Sequence, residues 1–208
     1  MQEEIQIKSD PLSLEGRFER GSNEKGVVVT HPHPLYGGNM DNPVVTAVTE
    51  TFREKGFSTL RFNFRGTGKS TGMFDEGQGE QNDTAAALSF LREQGMTRVF
   101  LAGYSFGAWV NAKGLAGNLF TVQNHIMISP PVAFLNFDHF SGGLSAGLVI
   151  TGSKDPIAPP DTVRQHLAQW RPRPDSRLEI IEGCDHFYAG YTETLKSILT
   201  EYLEKENR

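Results

Sequence analysis

Residues 99–107 of the chain read Val-Phe-Leu-Ala-Gly-Tyr-Ser-Phe-Gly, a buried strand that runs into a sharp turn. Residues 103–107 match the pattern Gly-x-Ser-x-Gly, in which a strand turns directly into a helix and the serine hydroxyl projects above the sheet edge. The flanking glycines are needed because strand and helix approach too closely for side chains. Residues 108–112 favour the helix that the motif requires. We therefore predict Ser105 as a nucleophile; the alternative is a serine that only caps a helix.

Short apolar runs alternate with amphipathic helical segments on both sides of this motif, which is typical of a mostly parallel sheet covered by helices. The predicted core strands are residues 27–30, 57–64, 99–102, 126–129, 148–151 and 178–181. Residues 5–18 alternate apolar and polar across a Ser-Asp-Pro turn, which predicts an antiparallel hairpin at one edge. Asn42, Pro43 and Gly56 mark the start and end of the first helix. The sequence predicts one α/β domain over residues 1–208, with about eight strands and helices on both faces.

Two polar residues follow later predicted strands: Asp155 comes after strand 148–151 and His186 after strand 178–181. A serine hydroxyl is a weak nucleophile that needs a base. Because parallel strands bring their carboxyl ends to one edge, we expect Ser105 as nucleophile, His186 as base and Asp155 as the group that orients the base to meet there. Taken singly, Asp155 also suits a turn and His186 a partly buried histidine. Asp138 and Asp161 are other acidic candidates, but neither directly follows a predicted strand.

These features resemble the α/β-hydrolase superfamily over nearly the whole chain, with most similarity to its small lidless members of the dienelactone-hydrolase-like kind. Residues 31–38, His-Pro-His-Pro-Leu-Tyr-Gly-Gly, resemble the stretch after the third strand of such proteins, and residues 65–70 resemble the loop after the fourth. The resemblance implies a serine hydrolase that cleaves a small carboxylic ester or thioester through an acyl-enzyme, without a cofactor. The connection from Pro131 to the strand at 148 is too short for a lid domain, so we expect an open site.

Acyl transfer passes through an oxyanion that needs backbone N–H donors already aimed at it. The amide of Phe106, directly after the nucleophile, is the first predicted donor. The second is expected from the loop after strand 27–30, where the prolines at 32 and 34 have no N–H to offer. His33 is the predicted second donor, with Leu35 and Tyr36 as alternatives and as residues that contact the substrate.

Composition and charge argue against several other classes of protein. The net charge is −5 and the basic residues are scattered, so no nucleic-acid partner is expected. Cys184 is the only cysteine, which excludes an internal disulfide and a thiolate metal cluster. The start of the chain does not resemble a secretory leader, and no apolar stretch is long enough to cross a bilayer. We expect a cytoplasmic protein without membrane contact; no oligomeric state follows from the pattern.

Two motifs suggest other chemistry but lack its remaining parts. Residues 66–70, Gly-Thr-Gly-Lys-Ser, resemble a phosphate loop, but the required earlier glycine is Asn63 and no helix is predicted to follow. His31 and His33 have no third ligand at a suitable spacing, so no metal is expected.

The region between strands 126–129 and 148–151 leaves two interpretations open. Phe134, Phe137 and Phe140 either wall an apolar acyl pocket or pack over the sheet. A different function also stays open for the whole chain: a non-catalytic protein of the same fold that binds a small ligand or a protein.

Overall fold

The computed structural model describes residues 2–21, 24–140, 143–170 and 176–206. These residues contain one eight-stranded sheet, in which β3 to β8 are parallel while β1 and β2 form an antiparallel edge. The order across the sheet is β1-β2-β4-β3-β5-β6-β7-β8. The strands are β1 Gln2–Ser9, β2 Leu12–Glu19, β3 Lys25–Thr30, β4 Ser58–Phe62, β5 Arg98–Tyr104, β6 Asn124–Ile128, β7 Leu148–Gly152 and β8 Arg177–Ile181.

Five helices cover both faces of this sheet: α1 Pro43–Glu54, α2 Gly79–Glu93, α3 Phe106–Ala116, α4 Pro160–Gln169 and α5 Thr192–Glu206. Residues of α1 and α5 pack on one face, and residues of α2, α3 and α4 on the other. The boundaries of α1 follow its predicted signals. The Asn42 side chain accepts a hydrogen bond from the amide of Val44, and Gly56 takes the left-handed conformation, φ 81°, just beyond the helix.

Burial on both faces explains why the central strands are continuous apolar runs. In β3, Val27 and Val29 pack in the core beneath α1 and α5, whereas Val28 packs in the core beneath α2 and α3. The predicted fold class, an α/β sheet with an antiparallel N-terminal edge and helices on both faces, is confirmed. Strand 57–64 is shorter than predicted. Phe57 and Phe64 flank β4 as fully buried loop residues. An apolar run in the sequence does not distinguish a buried strand residue from a buried loop residue.

The segment between β6 and β7 carries no inserted domain in the part that the structure describes, where its one helical element is the short turn Asp138–Phe140. Phe137 packs against Phe140 and Trp170, with ring centroids 5.4 and 5.8 Å apart. Both phenylalanines belong to the core cluster that contains Met127 of β6 and Val149 of β7, so they cover the sheet, whereas Phe134 is 72% exposed. No helix in the described ranges is long and apolar enough to cross a membrane.

Candidate active site

The turn that carries Ser105 joins β5 to α3 through a strained backbone. Ser105 has φ 54° and ψ −118°, a backbone conformation that residues other than glycine rarely adopt. The glycines of the turn are required by close approaches. A Cβ on Gly103 would lie 2.6 Å from the amide nitrogen of Ala108, and one on Gly107 would lie 2.6 Å from Thr30 Oγ1. Close packing on both sides thus presents the Ser105 hydroxyl beyond the end of β5.

The structure brings the three predicted site residues together at the carboxyl edge of the sheet. His186 Nε2 lies 3.0 Å from Ser105 Oγ, and His186 Nδ1 lies 2.9 and 3.0 Å from the two carboxylate oxygens of Asp155. Asp155 follows β7 and His186 follows β8, while the serine follows β5. All three residues are buried. The hydrogen bonds therefore form an unbroken line from a hydroxyl to a carboxylate.

The Asp155 carboxylate is held by donors beyond the imidazole. Its Oδ1 accepts hydrogen bonds from the amides of Ile157 and Ala158, at 2.9 and 2.8 Å. Burial alone would raise the pKa of Asp155, but the hydrogen bonds from His186, Ser129 and the Ala158 amide keep that pKa below its ordinary value. The carboxylate is therefore charged at neutral pH and positioned to fix the histidine tautomer that bears its proton on Nδ1.

Two buried tyrosines clamp the histidine loop, residues 182–191, to the rest of the site. The hydroxyl of Tyr104 donates to the backbone carbonyl of His186 at 2.6 Å. The hydroxyl of Tyr188 lies 2.9 Å from Ser129 Oγ, and the Ser129 side chain is one of the groups that lower the pKa of Asp155. Our sequence reasoning missed these contacts. The available signal was that a buried tyrosine hydroxyl needs a partner, and Tyr104 lies inside the motif itself.

The loop after β3 folds back on itself next to the nucleophile. The amide of Tyr36 donates to the carbonyl of His33 at 3.1 Å, and the amide of Leu35 donates to His33 Nδ1 at 3.2 Å. The two alternative oxyanion donors are therefore engaged locally. The amides of His33 and Phe106 make no hydrogen bond to any residue that the structure describes. The His33 and Phe106 rings lie 4.8 Å apart, so the two residues predicted to donate to the oxyanion are close together in space.

His31 sets the orientation of this loop. Its ring is fully buried: Nε2 accepts a hydrogen bond from the amide of Phe64 at 3.0 Å, so Nδ1 carries the proton and donates to the carbonyl of Pro32 at 2.7 Å. A peptide carbonyl and the next N–H point in opposite directions, so this bond also sets the direction of the His33 N–H. Both nitrogens of His31 are thus occupied, and the described residues contain no group of three or more potential metal ligands.

The neutral state of His31 predicts a loss of stability in acid. Burial lowers the pKa of His31 from its ordinary 6.5 to about 4, although the bond to Pro32 acts in the opposite direction. Between these pH values the unfolded chain binds a proton that the native chain excludes. The free energy of unfolding should therefore fall by about 3 kcal/mol through this residue as the pH drops from 6.5 to 4. Urea unfolding at both pH values measures the change.

Other buried histidines, such as His125, also contribute to the loss of stability in acid, but they do so equally in the native protein and in a His31 variant. A comparison of the two proteins therefore isolates the contribution of His31. We expect His31→Gln to show a smaller pH-dependent loss than the native protein, and His139→Gln, at an exposed position, to show the native loss. Equal losses in all three proteins would rule out the role assigned to His31. Should the glutamine variant not fold, the ring protons of His31 in the native protein provide the same test, because they should keep neutral shifts at about pH 5.

The glycine-rich loop after β4 is fixed by internal contacts. Arg65 pairs with Asp83 through two side-chain hydrogen bonds of 2.8 and 3.0 Å, and the Glu80 carboxylate accepts from the amides of Asp75 and Gly77, at 2.8 Å each. No helix follows residue 70 directly; α2 begins at Gly79. The helix N-terminus that a phosphate loop needs is therefore missing from that position.

Comparison with known proteins adds three relatives. The chain is 34% identical to the uncharacterized protein RP471 of Rickettsia prowazekii, over 91% of this chain and 84% of the relative. It is 32% identical to a solved α/β serine hydrolase homologue of Coxiella burnetii, with a TM-score of 0.87 and 97% of each chain covered. It is 29% identical to a lidless α/β serine hydrolase of Xanthomonas campestris, XC6422, with a TM-score of 0.87 and 98% and 94% of the two chains covered.

No family model matches the chain. The relatives nevertheless match almost the whole chain at substantial identity, and the solved protein of Xanthomonas campestris is likewise without a lid. The chain therefore belongs to the α/β-hydrolase family and is one of its lidless serine hydrolase homologues.

Proposed function

We propose that this protein is a serine hydrolase of the carboxylesterase type, which cleaves a small carboxylic ester or thioester through an acyl-enzyme on Ser105. The observation that carries the proposal is the line of hydrogen bonds from Ser105 Oγ through His186 to Asp155, with lengths of 3.0 and 2.9 Å. Strain at Ser105 adds support, because unusual backbone at a non-glycine residue concentrates at functional sites.

In the first half-reaction, His186 Nε2 takes the hydroxyl proton while Ser105 Oγ attacks the substrate carbonyl carbon. The amides of Phe106 and His33 are the proposed donors to the oxyanion. Collapse of the tetrahedral intermediate breaks the bond to the leaving alcohol or thiol, which receives its proton from His186. Asp155 remains a carboxylate throughout and stabilises the imidazolium.

In the second half-reaction, water attacks the acyl-enzyme and passes its proton to His186 Nε2. The same two amides hold the second oxyanion, and the acid product leaves as Ser105 regains its proton. These groups of the chain perform every proton transfer, so the proposal needs no cofactor and no metal. We further propose one domain over residues 1–208 that acts in the cytoplasm on a small diffusible substrate, without a nucleic-acid or membrane partner. The net charge of −5 supports the proposal that the protein has no nucleic-acid partner.

Labelling with a fluorophosphonate tests the proposal, because this reagent phosphonylates only an activated serine. Intact-mass analysis should show one adduct on the native protein and none on Ser105→Ala. Ser197→Ala, which alters an exposed serine of α5, is the matched control and should be labelled like the native protein. A native protein that folds but forms no adduct would contradict the proposal and favour a non-catalytic protein that binds a small ligand or a protein.

A further inference from the structure

Large apolar side chains stand exposed around the candidate active site. Five of them are at least two-thirds exposed, and together they are called the apolar rim here: Leu35 at 68%, Tyr36 at 87%, Met73 at 82%, Phe134 at 72% and Phe187 at 72%. All five lie on loops that follow strands of the sheet, after β3, β4, β6 and β8. Single exposed apolar residues are normal in proteins, whereas several around one site mark a surface that contacts something else.

Ring contacts connect both sides of the apolar rim to the nucleophile. On one side, the Tyr36 ring lies 4.8 Å from His33, whose ring lies 4.8 Å from Phe106, the residue after Ser105. On the other side, the Phe187 ring lies 5.8 Å from His186. The exposed Tyr36 and Phe187 rings therefore lie close to the residues that flank Ser105.

The loops of Met73 and Phe134 are linked to the same rings. Met73 precedes Phe74, whose ring lies 4.9 Å from His33. The loop of Phe134 is tied to α3 by a hydrogen bond of 3.1 Å from Trp109 Nε1 to the carbonyl of Asn136. The Trp109 ring lies 5.7 Å from that of Phe106. The loops that carry the apolar rim are thus linked by contacts to Phe106 or His186, the residues beside the serine.

The charges on the same loops are mostly negative, and two of their three cations are already paired. Arg65 is bonded to Asp83, and Lys69 Nζ lies 3.9 Å from Glu15. For Lys154 the described residues show no acidic partner. Asp41 is paired with Arg17, and Asp75 lies 3.8 Å from Arg65. The other acidic members of these loops, besides the Asp155 of the site, are Glu76, Asp138, Glu182 and Asp185.

We propose that the apolar rim binds the uncharged, apolar portion of the substrate, and that the enzyme selects neutral apolar esters over esters that carry a carboxylate. This inference rests on the hydrolase function proposed above. An apolar group gains free energy by covering the exposed rings, whereas a carboxylate there would lose hydration and face the acidic loops. Lys154 is the one cation on the described parts of these loops that could still bind a substrate carboxylate, so the experiment below includes the variant Lys154→Gln.

Two esters with the same leaving group test this selection: 4-nitrophenyl heptanoate, which is neutral, and mono-4-nitrophenyl adipate, which ends in a carboxylate at similar length. We expect kcat/KM to be at least about tenfold higher for the heptanoate, because a loss of about 1.4 kcal/mol in binding lowers this ratio tenfold. Tyr36→Ser and Phe187→Ser should each raise KM for the heptanoate about fivefold and leave kcat nearly unchanged. Leu119→Ser is the matched control, because Leu119 is 48% exposed but lies beyond the far end of α3.

Equal or higher kcat/KM for the adipate would overturn the inference, above all if Lys154→Gln abolishes the activity on that ester. A native dimer in sedimentation that Phe134→Ser converts to monomers would also overturn it, because the apolar rim would then be a contact between copies. The fluorophosphonate adduct separates the two proposals. If Ser105 is labelled but the esters are not distinguished, the selectivity alone fails; if there is neither label nor hydrolysis, both proposals fail.

Discussion

Replacement of His186 by alanine is expected to lower kcat for a 4-nitrophenyl ester by about 10⁵- to 10⁶-fold, the loss that removal of the base causes in serine hydrolases of this type. The reason is the 3.0 Å contact between His186 Nε2 and Ser105 Oγ, which provides the acceptor for the hydroxyl proton. Without that acceptor the serine attacks as a neutral alcohol, which is a weak nucleophile. Steady-state hydrolysis measures the effect, with active sites counted by fluorophosphonate in the native protein.

His139→Ala is the matched control for this variant, since His139 is exposed on the turn Asp138–Phe140 and makes no contact with Ser105, His186 or Asp155 among the described residues. It should keep the native kcat. A His186→Ala protein that is folded by circular dichroism and keeps more than about a hundredth of the native kcat would show that the histidine is not the base, because the remaining groups supply far less than that.

Replacement of Asp155 by asparagine should lower kcat by about 10⁴-fold while leaving the loop in place. The oxygen of the new carboxamide would still accept from the amides of Ile157 and Ala158, which now bond Asp155 Oδ1. Its NH₂ group, however, would donate to His186 Nδ1 and move the imidazole proton to Nε2, where it blocks acceptance of the serine proton. The measurement is kcat for the same ester, with the urea midpoint recorded as a check on folding.

Asp138→Asn and Asp161→Asn are the controls for the aspartate, because they alter the two other acidic candidates. Asp161 pairs with Arg164 on the surface of α4, a contact of little consequence for stability. Both variants should hydrolyse the ester at the native rate. A large loss in either one, with Asp155→Asn nearly normal, would assign the orienting acid to a different loop.

The positions of Ser105, Asp155 and His186 could be predicted because each depends on a local feature and one topological rule. Each residue closely follows an apolar run that reads as a strand, and parallel strands end at the same edge. The fold class followed from the same alternation of strands and helices. The sequence pattern did not locate the ends of β4. Phe57 and Phe64 are buried like the strand residues, but they lie beyond the hydrogen bonds that pair the strand with its neighbours.

The contacts around the site could not be read from the sequence, because they join segments far apart in the chain. Nothing near Ser129 or Tyr188 indicates that their hydroxyls meet, and the pairing depends on how the loops after β6 and β8 pack. The exposure of Phe134 illustrates the same limit. It lies close in sequence to Phe137 and Phe140, yet those two are buried and it is not, since the turn of the backbone decides which ring faces the sheet.

The bond from the Tyr104 hydroxyl to the His186 carbonyl links residues 82 positions apart, one on a central strand and one on a surface-facing loop. Loops that carry functional groups are usually among the first segments to open when a protein is warmed. Here the segment with the base cannot detach without exposing the fully buried Tyr188 ring to water and breaking the buried hydrogen bonds of both tyrosines. We therefore expect the proposed hydrolytic activity to be lost on heating only when the whole molecule unfolds. The line of hydrogen bonds from Ser105 to Asp155 is already present in the free protein.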